Sequence, residues 1–425
     1  MSKFPDVPLG SLFSNVTGGG TPPRQIPEYW NGPIPWASVK DFKEGSSSID
    51  STLESITESG LRASTSKLIK SGTPVICLRM AVGRSALIKC DVAINQDVKA
   101  LFPTSEVDSA YVAYLLEFIR DRVESLAVGS TVKGISTSDL LRIDVPFQKH
   151  NSAQQKIAKI LTTVDNLIEK TQALIDKYTA IKQGMMADLF TRGIDLSGTA
   201  DTNPNYGQLR PSYDQAPRLY KHTELGWVPK AWEIYKLEDI ASVERGKFTH
   251  RPRDDEKCYG GEYPFIQTGS VTKAKGGYIS EYKQTLSDFG RNVSREFPPE
   301  TIAVTIAANI ADTGILNRPM CFPDSVVGVI VDGSRALTRF VEICIRLRKT
   351  RLDALAPLSA QKNINLEDLR PLLLALPSVE EQTQICERYC SIDTLINENE
   401  VQLAKLALQK KGLMQDLLTG KVKVA

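Results

Sequence analysis

IAKILTTVDNLIEKTQALIDKYTAIKQGMMADLFTRG, residues 157–193, returns near the end of the chain as ICERYCSIDTLINENEVQLAKLALQKKGLMQDLLTGK, residues 385–421. Asp165, Leu167, Ile168, Lys177, Lys182, Gly184, Met186, Asp188, Leu189 and Thr191 recur, in the same order and at the same spacing, as Asp393, Leu395, Ile396, Lys405, Lys410, Gly412, Met414, Asp416, Leu417 and Thr419. A repeat of fixed period outranks any local signal, because it decides the architecture. In the first copy apolar residues step by three and four through Ile157, Ile160, Val164, Leu167, Leu174, Tyr178, Ile181 and Met185, with Thr171 in the missing place. The second copy steps through Ile385, Ile392, Leu395, Leu406 and Leu413, with Asn399 where the first has Thr171. Such spacing is a coiled-coil seam, and a single polar residue in it fixes register at some cost in stability. The two helices are therefore expected to pair with each other, antiparallel, leaving Leu161, Ile168 and Ile175 on faces that await other helices.

The correspondence continues upstream. VPLGSLFSNVTGG from Val7 lines up with YKLEDIASVERGK from Tyr235, and IPW at 34–36 with YPF at 263–265. TPVICLRMAVGRSALI, 73–88, has its partner in ETIAVTIAANIADTGIL, 300–316, and VKGISTSDL, 132–140, in QKNINLEDL, 361–369. Runs 73–78 and 84–88 read as buried strands, and 109–127 as an amphipathic helix with Tyr111, Leu115, Leu116 and Phe118 inward. The expected segments are a mixed domain over 1–150, a helix over 151–197, a linker over 198–229, a second mixed domain over 230–378 and a second helix over 379–425. The linker holds Gly, Pro, Asn, Tyr and Gln without periodicity. The fold class expected is α+β: two pseudo-symmetric mixed α/β domains separated by two long antiparallel coiled-coil helices. Residues between the anchors differ freely, so the copies share a frame and not a surface.

With 425 residues the chain has room for two or three domains. At 41% apolar and 24% charged it has an ordinary globular composition. A net charge of +2 gives no overall basic footprint, so any affinity for nucleic acid must rest on local patches. Seven cysteines without a CxxC pair, beside three histidines, point to reduced thiols over disulfides or a zinc site. No apolar run approaches the roughly 20 residues of a membrane span, and MSKFPDVPLG lacks a signal-peptide core; a cytoplasmic protein is expected.

Signatures of chemistry are scarce. GxxxxGK[ST], HExxH and a GxGxxG after a strand are all missing. Asn203-Pro204-Asn205-Tyr206 resembles the Asn/Asp-Pro-Pro-Tyr signature of amino methyltransferases without its second proline, and Asp41-Phe42-Lys43 after Pro5-Asp6 loosely resembles a nuclease constellation with no counterpart in the second copy. Groups suited to phosphates and base edges are better represented. TGGGTPPR, 17–24, and RGKFTHRPR, 245–253, leave equivalent apolar segments of the two copies. Glycines allow close backbone approach, and Arg and Lys bind phosphate or a guanine edge. Candidate contacts are Thr21 and Arg24 in the first loop, and Arg245, Lys247, His250, Arg251 and Arg253 in the second. Asn95, Gln96, Gln267 and Asn309 carry side chains suited to adenine edges, and Lys133 and Lys362 each precede matching elements. Arg335, Arg339, Arg346, Arg348, Lys349 and Arg351 make a basic stretch that reads equally as a solvated face.

GGGTP followed by EYWNGPIPW, the stretch NQDVKALFP, the opening TELGWVPKAW of the second half and the terminal LMQDLLTGKVKV together resemble the specificity subunit of type I restriction-modification systems. The resemblance spans nearly the whole chain; IPW becomes YPF, and the NQ stretch becomes FPDSVVGV, in the second copy. It implies two target recognition domains, each reading one half of an asymmetric bipartite site in double-stranded DNA. It implies that the helices pair through Ile157, Val164, Leu167, Thr171, Ile385, Ile392, Leu395 and Asn399 and bind two modification subunits. Those partners would carry S-adenosylmethionine and methylate adenine, and restriction subunits using ATP and Mg would join them. No cofactor, metal or catalytic residue is implied in this chain, and no membrane. The alternatives are a methyltransferase or nuclease with its own catalytic site, or a coiled-coil adaptor that does not bind DNA.

Overall fold

The structure, a computed structural model, describes residues 3–43, 45, 47–129, 133–307, 309–356 and 363–424. The chain forms two compact units: residues 1–176 with 397–425, and residues 177–396. Each unit thus combines one mixed domain with the start of one long helix and the end of the other.

In the first unit a five-stranded sheet runs in the order Phe13–Gly18, Val98–Pro103, Pro74–Cys77, Ser85–Ile88, Ser48–Ile49. Its central Pro74–Cys77 strand is buried at every residue, which is why PVIC reads as a continuous apolar run and not an alternating one. A four-stranded sheet follows the order Glu54–Ile56, Trp30–Ala37, Val92–Ile94, Lys67–Ile69. The Ser109–Phe118 helix starts where Asp108 accepts a bond from the Tyr111 amide at 2.8 Å, a standard N-cap. It packs Tyr111, Leu115 and Leu116 against Ile76 and Leu101 of the sheet, and a break at Ile119 leads into Arg120–Ser125.

The second unit repeats this plan strand for strand. Its five-stranded order is Ala241–Arg245, Val326–Val331, Ile302–Thr305, Thr313–Leu316, Tyr278–Ile279, and its four-stranded order is Gln284–Leu286, Tyr259–Phe265, Met320–Cys321, Glu296–Phe297. Even a turn conformation recurs: Gly83 has φ +79°, and Ala311, at the matching position of the second copy, has φ +58°. The Thr338–Leu347 helix buries Glu342 completely, where it accepts bonds from Thr313 Oγ1 at 2.6 Å and Arg346 Nε at 2.9 Å. The basic stretch, which reads equally as a contact surface and as a solvated face, is divided: Arg339 and Arg346 turn inward and neutralise Glu342, while Arg335 and Lys349 stay about half exposed, Lys349 pairing with Asp312.

The stretch 198–229, expected as a linker, carries structure of its own. Tyr220–Thr223 and Gly226–Pro229 form a hairpin, and Asn203 Nδ2 binds Ser197 O at 2.9 Å and Asp195 Oδ2 at 3.1 Å. Side-chain bonds of this kind order a chain that has no periodic apolar face. Arg210 and Glu381, both buried, form a two-bond pair, with the second contact at 2.9 Å; Glu381 Oε1 also accepts from Trp232 Nε1 at 3.1 Å and from the Ile194 amide at 2.9 Å.

The long helices are Asn151–Thr191 and Val379–Leu418. In the first unit Ile157, Ala158 and Leu161 share a core with Met414, Leu417 and Leu418; in the second, Leu189 shares one with Ile385, Cys386 and Tyr389. Within each unit the start of one helix meets the end of the other, so the pairing is antiparallel. Lys410 Nζ lies 2.9 Å from Asp165 in the first unit, and Lys182 pairs with Asp393 in the second. These are one contact made twice, because Lys182 and Lys410, like Asp165 and Asp393, hold matching positions of the repeat.

The buried stripe follows the expected seam only in part; Leu406 of the second helix is buried as expected. Ile157, Thr171 and Ile385 are buried, but Ile160, Leu167, Leu174 and Ile181 are 37–46% exposed, and Val164, Ile392, Leu395 and Asn399 are half-buried. Leu161 and Ile175, expected to face outward, are buried, and Ile168 is half-buried. Both stripes step by three and four. The inner one was disguised by Asp165 and Lys182, whose charges make it look solvated until their partners are placed. No helix among the described residues is long and apolar enough to cross a membrane.

Candidate nucleic-acid interface

In each domain the loop after the first strand of the five-stranded sheet reaches the same point of the frame. Thr21 Oγ1 donates to Gln96 Oε1 at 2.6 Å, and Arg253 Nη2 binds Asp324 Oδ1 at 3.1 Å; Gln96 and Asp324 hold matching positions of the two copies. The fold brings together pairs that the sequence presents as separate loops.

In the first domain Gly19 and Gly20 permit the approach, since a Cβ at either would meet Ile94 O at 1.7 Å or Thr65 Oγ1 at 2.0 Å. Arg24 forms a two-bond pair with Glu54, the second contact at 2.9 Å, and its guanidinium lies 3.9 Å from the centre of the Trp30 ring. The hydrogen bond to Arg24 holds the Glu54 carboxyl below the usual carboxylate range. Asn95 is buried, and its Oδ1 accepts from the amides of Asp97 at 3.0 Å and Val98 at 3.1 Å, so it shapes the turn that presents exposed Gln96. Lys133 is exposed, and its carbonyl accepts the Met80 amide at 3.2 Å. Met80 is 72% exposed with φ +63°.

In the second domain Arg245 reaches Asn365 Oδ1 at 3.5 Å, and Lys247 is exposed. His250 Nε2 lies 2.8 Å from Asp255, a bond that lowers the Asp255 pKa. Arg251 turns back onto the carbonyls of Phe248 at 2.9 Å and His250 at 2.7 Å. The crowded cations of this loop are therefore partly held by the fold itself. Lys362 lies outside the described residues.

Gln267 and Asn309 are brought to one short helix, Thr268–Ala274: Gln267 stands at its N-cap, and Asn309 Nδ2 lies 3.4 Å from Thr272 Oγ1. Beside that helix opens a cleft of about 870 Å³, lined by Gln267, Lys273, Tyr282, Lys283, Gln284 and Arg318 among others. Sequence reading missed Gln284 and its three cations, because they come from a short helix, the start of a strand and a bend that stand apart in the chain and have ordinary polar composition.

The two stretches that resembled catalytic motifs have structural partners. Asp41 is buried and accepts from the amides of Ser38 at 2.8 Å and Leu53 at 2.7 Å. Asn203 holds the turn described above, and its Oδ1 accepts the Asn205 amide at 2.9 Å. Among the described residues no group of three or more His, Cys, Asp or Glu side chains is arranged to hold a metal ion.

The frame and its duplication match known proteins. The type I restriction modification DNA specificity domain is found twice, over residues 1–178 and 229–406. The MjaIX specificity subunit of Methanocaldococcus jannaschii is 27% identical over 271 residues, which are 63% of this chain and 58% of that protein, less than two thirds of its length. The MjaVIII specificity subunit of the same organism is 23% identical over 435 residues, covering 98% of this chain and 92% of that one. The crystal structure of a type I restriction-modification S subunit from M. genitalium shares the fold, with a TM-score of 0.63 at 14% identity over 98% of this chain and 96% of that one. With two such domains on one duplicated frame, the chain belongs to the type I restriction-modification specificity family.

Proposed function

We propose that this chain is the non-catalytic reader of a cytoplasmic type I complex, each domain recognising one half of an asymmetric bipartite site in double-stranded DNA. The observation that carries the reading is the frame built twice with different side chains at a matching place: Gln96, met by Thr21, in one domain, and Asp324, met by Arg253, in the other. A common frame supplies a common mode of approach, and divergent side chains supply different base preferences. Two modification subunits, carrying S-adenosylmethionine and methylating adenine, dock on the long helices, and restriction subunits using ATP and Mg join them. Support for docking comes from Ile160, Leu167, Leu174 and Ile181, which recur at heptad spacing along one exposed face of the first long helix.

The test is binding by the chain assembled with its modification subunits. Affinity should discriminate between DNA carrying the methylated motif and scrambled DNA, and should fall linearly on a log–log plot against salt. Equal affinity for both sequences would reject the reading in favour of an adaptor.

A further inference from the structure

The two domains differ at one register position of their matching four-stranded sheets. In the first, Trp36 pairs in register with Glu54; in the second, Phe265 pairs with Gln284. Glu54 is closed off by Arg24, which also covers Trp30. Gln284 is exposed, is paired with no arginine among the described residues, and lines the 870 Å³ cleft. There it is joined by Gln267, whose Nε2 donates to Gln284 Oε1 at 2.7 Å. That bond leaves Gln267 Oε1 as an acceptor and Gln284 Nε2 as a donor, side by side on two exposed residues.

An acceptor beside a donor matches one base edge. Adenine presents the N6 amino donor next to the N7 acceptor in the major groove, whereas guanine presents two acceptors and cytosine a donor alone. Around the pair stand three exposed cations, Lys273, Lys283 and Arg318, against one carboxylate, Glu281. That excess of positive charge suits a phosphate backbone.

Building on the DNA-reading function above, we propose that the second domain reads an A·T base pair through the Gln267–Gln284 amide pair, with Lys273, Lys283 and Arg318 on the flanking phosphates. The first domain, with Arg24 and Glu54 in the corresponding place, reads its half-site with different chemistry.

The experiment uses the chain assembled with its modification subunits and duplex DNA carrying the motif found by sequencing methylated adenines. The Gln267→Ala/Gln284→Ala variant is expected to lose roughly 5- to 150-fold discrimination at one A·T position of a single half-site, with every other position unchanged. Wild-type discrimination at all positions in that variant would overturn the proposal while leaving DNA recognition standing. A wild-type complex without sequence preference would instead sink the underlying reading. If the double variant binds no DNA, Lys283→Ala/Arg318→Ala decides: a salt slope smaller by about two with an unchanged motif supports the cleft, and an unchanged slope overturns it.

Discussion

Lys410→Ala and Lys182→Ala both remove the Lys–Asp contact that the repeat makes twice, Lys410 giving up Glu117 as well, and they should not cost the same. The Lys410 side chain is 8% exposed and its partner Asp165 also 8%, whereas Lys182 is 19% exposed and Asp393 35%. Removing Lys410 strands a buried carboxylate, a change worth about 3–5 kcal/mol. Asp165 keeps bonds from Ser47 Oγ and Tyr114 OH, the latter at 2.7 Å, which puts the expected loss at the low end. In the second unit water can solvate Asp393, and the loss should be about 1 kcal/mol. Hydrogen exchange at the helix ends reads the difference: roughly 150-fold faster opening around 406–418 in the first variant against about fivefold around 385–393 in the second. Replacing Lys410 and Asp165 together by Met and Leu should recover most of the first loss. Burial pulls the Lys410 pKa down, but Glu117 and Asp165 more than offset it and the net shift is upward. Its stabilisation is therefore complete below the unfolded lysine value of about 10.4 and fades as pH rises through the folded one. Equal losses in the two single variants would refute this reasoning.

Three further outcomes follow from particular contacts. Glu381→Ala leaves Arg210 buried without its counter-charge and the Trp232 indole N–H without its acceptor; thermal melts should show a loss of about 3–5 kcal/mol in the second unit, and a loss below about 1 kcal/mol would contradict the role assigned to it. Leu167→Glu/Leu174→Glu should keep the fold, since both side chains are over 40% exposed, yet abolish co-purification with the modification subunit; retained co-purification would move the docking face elsewhere. Inserting four residues into each long helix, away from Thr171 and Asn399, adds about 6 Å and should widen the spacing of the methylated half-sites by one or two base pairs at about 3.4 Å each.

The duplication, the two long helices and the strands at 74–77 and 85–88 were legible because each leaves a periodic or repeated trace in the sequence. The inner face of the helices was not, because Asp165 and Lys182 interrupt it and only the partner in the other copy of the repeat shows that the charges cancel. The hairpin at 220–229 was hidden because its strands are short and bury too few apolar residues, Tyr220 and Val228 among them, to leave a periodic stripe. At the candidate interface the sequence marks residue types suited to DNA without showing which ones the fold already uses. Asn95 and Arg251 look like readers and serve their own turns. Gln284, a plain polar residue in the chain, gains its place only when strand pairing sets it opposite Phe265.

The central claim is that two domains on one frame read two halves of a DNA site independently. Replacing residues 230–378 with the matching domain of another family member, in cells that carry the complete system, and sequencing the methylated adenines tests it most directly. One half of the bipartite motif should change while the other half stays as it was. A motif altered in both halves, or in neither, would contradict the account.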